Sequence, residues 1–247
     1  MKKVIVIPAR LDSSRLPKKV LLDLKGKTII QRVYEQCKKV NNIDAIYIAT
    51  DSQEINRACN GFTNNVILTK TTHKSGTDRI GEAVAQIDCD IVINVQGDEP
   101  FIEPKLVEKL VKQFDNQDIL MASAMSRILD FKDLQNSNVV KVTVDNQQNA
   151  LYFSRSLIPF PRDFKDILAS NKELEKSHFY RHIGIYGYRK EFLQTYVKMN
   201  QSPLEKIEKL EQLRALENGY KIKMIEAESS LIGIDTIEDY QEALKKY

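Results

Sequence analysis

Three short apolar runs in the first half of the chain restrict its fold more than any other feature. They are Val4–Ile7, Ala45–Ala49 and Ile91–Val95, and each is rich in β-branched residues. Strands that are apolar at almost every position are typical of a parallel sheet that is covered on both faces. Amphipathic patterns with helical spacing lie between the runs, and this alternation indicates βαβ units. The sequence therefore predicts an α/β fold with a doubly wound, mostly parallel sheet.

The pattern changes after about residue 120, where shorter and more polar strands are predicted. Three of these strands are Val139–Val144, Ala150–Phe153 and Ile183–Tyr188. Leu204–Asn218 has the spacing of one amphipathic helix, and Gly219 is the residue type expected at its end. We predict a single domain over residues 1–247 that carries a small lobe at approximately residues 125–188.

Charge and cysteine content disfavour several classes of protein. The chain has 37 Lys and Arg against 34 Asp and Glu, a net charge of +3 that is too balanced to indicate a nucleic-acid partner. Its three Cys are widely spaced, which disfavours a disulfide framework or a zinc finger and indicates a reducing compartment. The apolar run at the N-terminus is too short for a signal peptide or a membrane span. We therefore expect a cytoplasmic protein without a membrane partner.

The segment after the first apolar run is a candidate ligand site, because ligands of open parallel sheets bind beyond the carboxyl ends of the strands. It holds Arg10, Arg15, Lys18 and Lys19, with two serines between the arginines. Cations combined with backbone N–H groups and hydroxyls suit a polyphosphate. The segment lacks both GxxxxGK[ST] and GxGxxG, which disfavours a P-loop NTPase and a dinucleotide-binding domain. An ordinary solvated basic loop is the alternative.

Two carboxylates occupy comparable positions further along the chain. Asp98 follows the third apolar run, and Asp235 lies between a short apolar run and a predicted helix. Mg²⁺ sites commonly use one or two carboxylates while substrate phosphates supply other ligands, so this pair facing the basic loop predicts a metal–nucleotide site. The alternatives are a turn or N-cap role for Asp98 and an N-cap role for Asp235. Ser75 is predicted to be the residue at which a helix starts. A role of Ser75 or Arg79 in ligand binding would be compatible with this helix start and would not replace it.

An ordered set of short blocks extends from Val4 to about Tyr240. The blocks are IPARLDSSRLPKK, HKSGTDR, NVQGDEPFI, ALYFSR with IPF, RHIGIYGYR, SPLEKIEKLEQLRALENG and GIDTIEDY. Together they resemble the 3-deoxy-manno-octulosonate (Kdo) cytidylyltransferase family. The resemblance implies a Rossmann-like nucleotidyltransferase that transfers CMP from CTP to Kdo and releases pyrophosphate, for lipopolysaccharide biosynthesis. In one departure, Lys18 and Val20 stand where the family's loop, RLPGKP, has Gly and the second Pro.

The same resemblance implies the site residues and the assembly. CTP would be held by Ala9, Arg10, Arg15, Lys19, Ser75 and Arg79. The sugar acid would be held by Gln96, Arg155, Arg162, His182, Tyr186 and Glu211. Mg²⁺ would bind Asp98 and Asp235, and these two residues and Lys19 would be catalytic. The lobe would pair with its copy in a homodimer.

Several of the implied sugar residues also have structural interpretations. A guanidinium matches a carboxylate bidentately, but Arg155 and Arg162 are equally compatible with ordinary surface positions. A lone His beside an apolar strand is often structural, and we assign His182 sugar binding through hydrogen bonds rather than work as a general base. Glu211 lies on the predicted amphipathic helix, where a Glu is usually solvated, and Tyr186 alternates with apolar neighbours typical of a core.

Two alternative functions stay open at this point. The acceptor could be another 2-keto sugar acid, such as 8-amino-8-deoxy-Kdo. A nucleotide- or sugar-binding module without catalysis belongs to a different class, and the presence of both Asp98 and Asp235 favours the enzyme over it. Nucleic-acid binding through the basic loop is disfavoured, because no aromatic stacking platform accompanies it.

Overall fold

The computed structural model of the chain describes residues 1–11, 16–73, 75–162, 174, 178–228 and 233–247. The strands in these ranges are β1 Lys3–Ala9, β2 Ala45–Thr50, β3 Val66–Leu68, β4 Ile91–Asn94, β5 Met121–Arg127, β6 Lys141–Val144, β7 Ala150–Ser154, β8 Tyr180–Arg189 and β9 Lys223–Glu226. The α-helices are α1 Ile29–Cys37, α2 Gln53–Cys59, α3 Gly76–Val84, α4 Pro104–Lys112, α5 Phe131–Gln135, α6 Lys190–Tyr196, α7 Pro203–Glu208, α8 Leu213–Glu217 and α9 Ile237–Lys246. Short 3₁₀ helices span Lys19–Leu21 and Gln113–Asp115.

The chain forms two compact units. The first unit comprises Met1–Asp115, Ile185–Val197 and Leu231–Tyr247, and the second comprises Asn116–Gly184 and Lys198–Ser230. Strand β8 therefore contributes its last residues to the first unit and its first residues to the second. The description as a single domain with a lobe at approximately residues 125–188 stays a prediction.

The first unit contains the predicted parallel sheet. Its strands have the order β3-β2-β1-β4-β8, in which the first four are mutually parallel and β8 pairs antiparallel with β4. The chain moves outward from β1 to β2 and β3, and then returns to place β4 on the other side of β1. The strand order thus reverses between β1 and β4, which makes this the point where such sheets bind ligands.

Burial explains why these apolar runs form strands of this sheet. Val4–Ile7 of β1 are at most 2% exposed, and all four residues of β4 are buried. Helix α1 begins after Thr28, whose side chain accepts a hydrogen bond from the N–H of Gln31. It buries one apolar face, formed by Ile29, Ile30, Val33 and Cys37. The prediction of an α/β fold with a mostly parallel sheet is confirmed.

The second unit contains two of the three predicted later strands, those that begin at Val139 and Ala150, whereas most of the strand predicted at Ile183–Tyr188 belongs to the first unit. β5 and β9 pair in parallel, and β6 pairs antiparallel with β7 and with the first residues of β8. Lys141 in β6 is fully buried, and its ammonium donates to the carbonyl oxygens of Asn136, Val139 and Arg155 at 2.9, 2.7 and 2.7 Å. These charge-assisted bonds compensate the burial of a cation.

The prediction of one helix over Leu204–Asn218 is wrong. The backbone takes a left-handed conformation at Lys209, with φ of 55°, and this separates α7 from α8. A buried bidentate ion pair joins the two helices, in which the Arg214 guanidinium donates to Glu205 at 2.8 and 2.6 Å. Apolar residues three apart satisfy two short helices as well as one long helix, so the spacing did not reveal the break. Gly219 follows α8 with φ of 79°, as expected of a helix end.

Two further findings concern the thiols and the helices. Cys37, Cys59 and Cys89 are buried free thiols. Burial raises the pKa of Cys59 to about 12 and raises the pKa of Cys37 as well. In the described part of the chain, none of the helices combines the length and the apolar character that a membrane span requires.

Candidate active site

The carboxyl ends of β1 and β4 approach each other closely at the point where the strand order reverses. Ala9 ends β1 and is 3% exposed, whereas Arg10, the next residue, is exposed to solvent. A Cβ atom on Gly97 would lie 2.9 Å from the carbonyl oxygen of Pro8, which is shorter than carbon and oxygen tolerate. Glycine at this position therefore allows the segment that follows β4 to lie against the end of β1.

Lys19, Asp98 and Asp235 converge in this unit. The Lys19 ammonium donates to Asp98 Oδ2 at 2.5 Å and to Asp235 Oδ1 at 2.8 Å. The Lys19 side chain is 10% exposed, and the carboxylate side chains are 28% and 50% exposed. Burial acts to lower the pKa of Lys19, but the attraction and hydrogen bonds of the two carboxylates outweigh burial and raise it. Lys19 is therefore a cation held between two acidic side chains that keep access to solvent.

Backbone contacts bring Asp235 to Asp98. The N–H of Ile234 donates to the carbonyl oxygen of Asp98 at 3.0 Å. A Cβ atom on Gly233 would lie 2.8 Å from Glu99 Oε1, so the glycine lets the two segments touch. These contacts join positions that are far apart in the sequence.

The helix caps next to the two aspartates belong to other residues. Thr236 is the N-cap of α9 and forms a capping box with Asp239, so the N-cap interpretation of Asp235 is wrong. Helix α4 begins after Glu103 with Pro104 in its first turn, so Asp98 is not its N-cap. Asp98 does lie in a turn, and its side chain bonds to Lys19.

A small apolar cluster lies beneath the three charges. Its buried members are Leu16, Leu24, Ile29, Ile234 and Ala243. They come from the segments around Lys19 and Asp235, from α1 and from α9. Burial of these side chains stabilises the arrangement that brings the charged groups together.

The predicted phosphate-binding loop is described only in part. Arg15 lies outside the described residues. Lys18 adopts the left-handed conformation, with φ of 53° and ψ of 28°, and its ammonium donates to both carboxylate oxygens of Glu54 at 2.8 and 3.0 Å. A glycine, as in the related loop, would adopt this conformation without the steric cost of a Cβ atom. Val20 is buried at 5% exposure.

Arg79 already has protein partners. Its guanidinium, 4% exposed as a residue, donates to Asp51 Oδ2 at 2.7 Å and to Thr69 Oγ1 at 2.6 Å. Asp51 and Thr69 directly follow β2 and β3, so Arg79 links α3 to the ends of two strands. Ser75 is the N-cap of α3, as predicted, and accepts from the N–H of Asp78 at 3.1 Å. Their roles toward CTP stay predictions.

Gln96 and Tyr186 both lie next to Asn94, the last residue of β4. The Gln96 Nε2 donates to Asn94 Oδ1 at 3.2 Å, and Tyr186 stands opposite Asn94 in the sheet register. The Tyr186 ring is stacked on Tyr188 with centroids 6.0 Å apart. Both Gln96 and Tyr186 are partly buried.

His182, in the second unit, has partners on two sides. Its Nε2 lies 2.9 Å from Ser123 Oγ, and its ring meets Phe153 edge-on with centroids 5.0 Å apart. Burial lowers the pKa of His182 to about 3, so the ring is neutral at pH 7. A neutral imidazole can still donate and accept hydrogen bonds, which is the role predicted for it.

The other predicted sugar residues of the second unit differ in their surroundings. The Nε of Arg155 donates to the Glu208 carbonyl oxygen at 2.8 Å, and its backbone N–H donates to the Glu208 carboxylate at 3.0 Å. Arg162 is exposed. Glu211 is partly buried and lies in the turn between α7 and α8, not on a continuous helix as predicted. Their roles toward a sugar acid stay predictions.

The sequence did not reveal three of the polar partners named above. Glu208 holds Arg155, Asp51 holds Arg79, and Asn94 contacts Gln96. Asp51 directly follows β2, the strand of the second apolar run, where the strand-end rule points, although the sequence did not indicate that Arg79 is its partner. Asn94 is a polar residue within an apolar strand, and no pattern pointed to Glu208.

Asp98 and Asp235 supply oxygen donors of the kind that a magnesium ion prefers. The Lys19 ammonium pairs with one oxygen of each carboxylate, so the two carboxylates lie close enough to contact a single cation. Within the described ranges, no group of three or more His, Cys, Asp or Glu side chains is arranged to hold a metal ion. A pair of carboxylates is sufficient where substrate phosphates complete the coordination, so the residues fit this ion.

Comparisons with known proteins identify the family and agree with this fold. The chain matches the family model described as cytidylyltransferase over residues 4–223. A 3-deoxy-manno-octulosonate cytidylyltransferase of Francisella tularensis subsp. holarctica is 47% identical over 98% of this chain and 97% of that protein. The protein of the same description from Syntrophotalea carbinolica is 45% identical over 95% of this chain and 94% of its own length.

A solved structure resembles the whole chain. It is the structure of CMP:2-keto-3-deoxy-manno-octonic acid synthetase complexed with CTP, with a TM-score of 0.91 and 39% identity over 100% of this chain and 98% of that one. The chain therefore belongs to the 3-deoxy-manno-octulosonate cytidylyltransferases, within the larger cytidylyltransferase family.

Proposed function

We propose that this chain transfers CMP from CTP to Kdo, with release of pyrophosphate, and that it supplies activated Kdo for lipopolysaccharide biosynthesis. The observation that carries the proposal is the convergence of Lys19, Asp98 and Asp235 in the unit that contains the parallel sheet. Asp98 follows β4, at the point of the sheet where nucleotides bind in related folds. The family relationship supports the same reaction.

The reaction requires no nucleophile from the protein. The anomeric hydroxyl of Kdo attacks the α-phosphorus of CTP, a new P–O bond forms, and the bond to the departing pyrophosphate breaks as the hydroxyl loses its proton. The buried thiols of Cys37 and Cys59 have raised pKa values and do not compete for this role. The protein has to position the hydroxyl and neutralise the charge that grows on the phosphate oxygens.

The residues of the first unit would divide this work. Arg10 and Lys19 would attract the triphosphate, since an exposed guanidinium and an ammonium are suited to phosphate oxygens. Arg79 would fix α3, whose first turn begins at Ser75, next to the ends of β2 and β3. Asp98 and Asp235 would hold Mg²⁺, which supplies electrostatic stabilisation of the phosphate charge when bound.

The remaining assignments are part of the same proposal. The residues that the family resemblance assigns to the sugar acid would bind it; they are Gln96, Arg155, Arg162, His182, Tyr186 and Glu211. With neutral His182, the sugar would be held by hydrogen bonds, and the arginines would supply the charge that a carboxylate needs. The protein would work in the cytoplasm as a homodimer formed through the lobe.

The test is an assay of the purified protein with CTP, Mg²⁺ and Kdo. We expect release of pyrophosphate together with a product that has the mass of CMP-Kdo. A parallel reaction with 8-amino-8-deoxy-Kdo at the same CTP concentration measures acceptor choice, and we expect Kdo to give the higher kcat/KM.

Two results would contradict the proposal. A folded protein, verified by circular dichroism, that binds CTP but forms no CMP-sugar with either acid would be a binding module. A higher kcat/KM with 8-amino-8-deoxy-Kdo would be consistent with CMP transfer from CTP but would show that Kdo is not the preferred acceptor.

A further inference from the structure

The Lys19 ammonium is the protein's own cation at the two carboxylates assigned to the metal ion. It donates to Asp98 Oδ2 at 2.5 Å and to Asp235 Oδ1 at 2.8 Å, and its side chain is 10% exposed. Mg²⁺ binds carboxylate oxygens at about 2.0–2.1 Å, and one or two carboxylates of the protein are its usual anchors. The ammonium and a metal ion therefore draw on the same pair of acidic groups.

Charge extends this competition beyond the two oxygens that Lys19 contacts. The second oxygen of each carboxylate shares the same delocalised charge, so a metal ion bound there would still be repelled by the ammonium. Such repulsion is strong at short range where burial reduces screening by water. Two carboxylates and one ammonium leave one net negative charge for a divalent ion instead of two. The carboxylates also raise the pKa of Lys19, so its positive charge is retained at neutral pH.

A nucleoside triphosphate would relieve the competition in two ways. Its phosphate oxygens offer the ammonium other anionic partners, and the flexible four-carbon stem of a lysine allows the head group to move to them. The same phosphate oxygens supply further ligands and negative charge to the metal ion. Binding of the triphosphate and binding of the metal ion at Asp98 and Asp235 would therefore favour each other.

We propose that Lys19 is a tethered competitor of the metal ion, which makes divalent-cation binding at Asp98 and Asp235 weak until a nucleoside triphosphate draws the ammonium away. The proposal rests on the proposed function, which assigns these two carboxylates to Mg²⁺. It gives Lys19 a role before the triphosphate binds, in addition to its attraction for the phosphates.

This role and a purely supporting role of Lys19 predict opposite effects of its removal. If the ammonium only held Asp98 and Asp235 together, its loss would let the carboxylates separate and would weaken metal binding. If the ammonium competes with the ion, its loss leaves both negative charges to the metal. Metal binding in the absence of nucleotide should then become tighter.

Mn²⁺ is a suitable probe, because it takes the same oxygen ligands as Mg²⁺ and its free concentration can be followed by electron paramagnetic resonance. We expect Lys19→Met to bind Mn²⁺ at least about tenfold more tightly than the wild type in the absence of nucleotide. Lys19→Gln removes the charge but keeps an N–H group that can donate to the carboxylates, and we expect a gain in the same direction. Circular dichroism verifies that each variant is folded.

Two controls locate the effect. Lys18→Met removes the neighbouring charge, whose partner is Glu54, and its Mn²⁺ affinity should lie within about twofold of that of the wild type. The double variant Lys19→Met/Asp98→Asn should lose the gain, because one of the two carboxylates is then neutral.

Equal or weaker Mn²⁺ binding by a folded Lys19→Met or Lys19→Gln protein would overturn the proposal. A gain that persists after Asp98→Asn would also overturn it, because the ion would then bind elsewhere. The titration contains neither CTP nor Kdo, so its result is independent of the assay for CMP transfer. A wild-type protein that forms no CMP-sugar would refute the proposed function and would leave the competition at the two carboxylates to be decided by Mn²⁺ binding.

Discussion

The predicted nucleotide and sugar residues of the two units differ in how far the protein itself satisfies them. In the first unit, Asp98 and Asp235 share one ammonium and keep 28% and 50% of their side-chain surface exposed. In the second unit, His182 is desolvated by burial, and Arg155 donates to Glu208 from its side chain and from its backbone. The two carboxylates of the first unit remain accessible to a charged ligand, whereas these two residues of the second unit are engaged by protein atoms.

This difference in protein contacts predicts whether a substitution will change the stability of the protein or its activity. A residue whose partners are protein atoms affects stability when it is removed, and a residue exposed in a cleft mostly affects ligands. Substitutions of the partly exposed Asp98 and Asp235 should therefore change the rate more than the stability. Substitution of Arg155 should lower the free energy of unfolding, and substitution of His182 should change how that free energy depends on pH.

The largest expected effect is on catalysis in the first unit. Asp98→Asn keeps an oxygen that can accept from Lys19 but removes the charge, and we expect kcat to fall at least about 100-fold. The melting temperature should change little. Asp88→Asn is the control, because the Asp88 side chain is 85% exposed and pairs with Lys2, and its kcat should equal that of the wild type. Normal turnover by Asp98→Asn would show that the metal assignment is wrong.

The next effect concerns the acid stability of the second unit. The pKa of His182 in the folded protein is about 3, below its ordinary value of 6.5, so the unfolded state binds more protons between these two values. The unfolding free energy should therefore fall as the pH is lowered below about 6.5, by about 2 kcal/mol between pH 7 and pH 5 from this group alone.

Urea denaturation at the two pH values isolates this contribution. His182→Gln removes the titration, and its loss of stability between pH 7 and pH 5 should be smaller than that of the wild type by this amount. His178→Gln is the control, because His178 is exposed and should show the wild-type dependence. Equal slopes for all three proteins would contradict a desolvated His182.

Arg155 and Arg162 form a natural pair for a smaller effect. Arg155→Met loses the bond to the Glu208 carbonyl oxygen, and we expect the free energy of unfolding to fall by about 1.5 kcal/mol. Arg162→Met should change it by less than about 0.5 kcal/mol, because Arg162 is exposed. Chemical denaturation of the two variants measures the difference. Equal free energies of unfolding for Arg155→Met and Arg162→Met would contradict a structural role of Arg155.

The smallest expected effect is a gain of stability at Lys18. Lys18→Gly relieves a left-handed backbone conformation, while it loses an exposed ion pair with Glu54 and increases the freedom of the unfolded chain. We expect a net gain of about 0.5 kcal/mol. Lys38→Gly is the matched control, because Lys38 has a right-handed helical conformation with φ of −63° and should lose stability. A loss at Lys18 would show that the ion pair outweighs the backbone strain.

Much of the first unit could be predicted from the sequence, because local rules determine it. Apolar runs define buried parallel strands, and the rule that ligands bind at their carboxyl ends pointed to the basic loop that contains Lys19 and to Asp98. Asp235 was selected by its place between an apolar run and a helix, and Lys19 was separated from the other cations of the loop only by the family resemblance. The structure then places these three side chains within hydrogen-bond distance. The sequence did not distinguish Thr236 from Asp235 as the N-cap of α9, because Asp and Thr are both good N-caps and the two residues are adjacent.

The second unit was less predictable for physical reasons. The break at Lys209 has no Gly or Asn to signal a left-handed residue, so the apolar spacing favoured one helix. The contacts of Arg155 with Glu208 and of His182 with Ser123 join residues 53 and 59 positions apart. Such pairs depend on tertiary packing, and no local pattern encodes them.

The most direct test of the account is the dependence of CTP binding on Mg²⁺. Isothermal titration of CTP into the wild-type protein, with and without Mg²⁺, should show an affinity at least about tenfold higher with the metal ion. In the double variant Asp98→Asn/Asp235→Asn, the two affinities should be nearly equal, because the residues that hold the ion have lost their charge. Full retention of the Mg²⁺ dependence in the double variant would contradict the assignment of these carboxylates to the metal–nucleotide site.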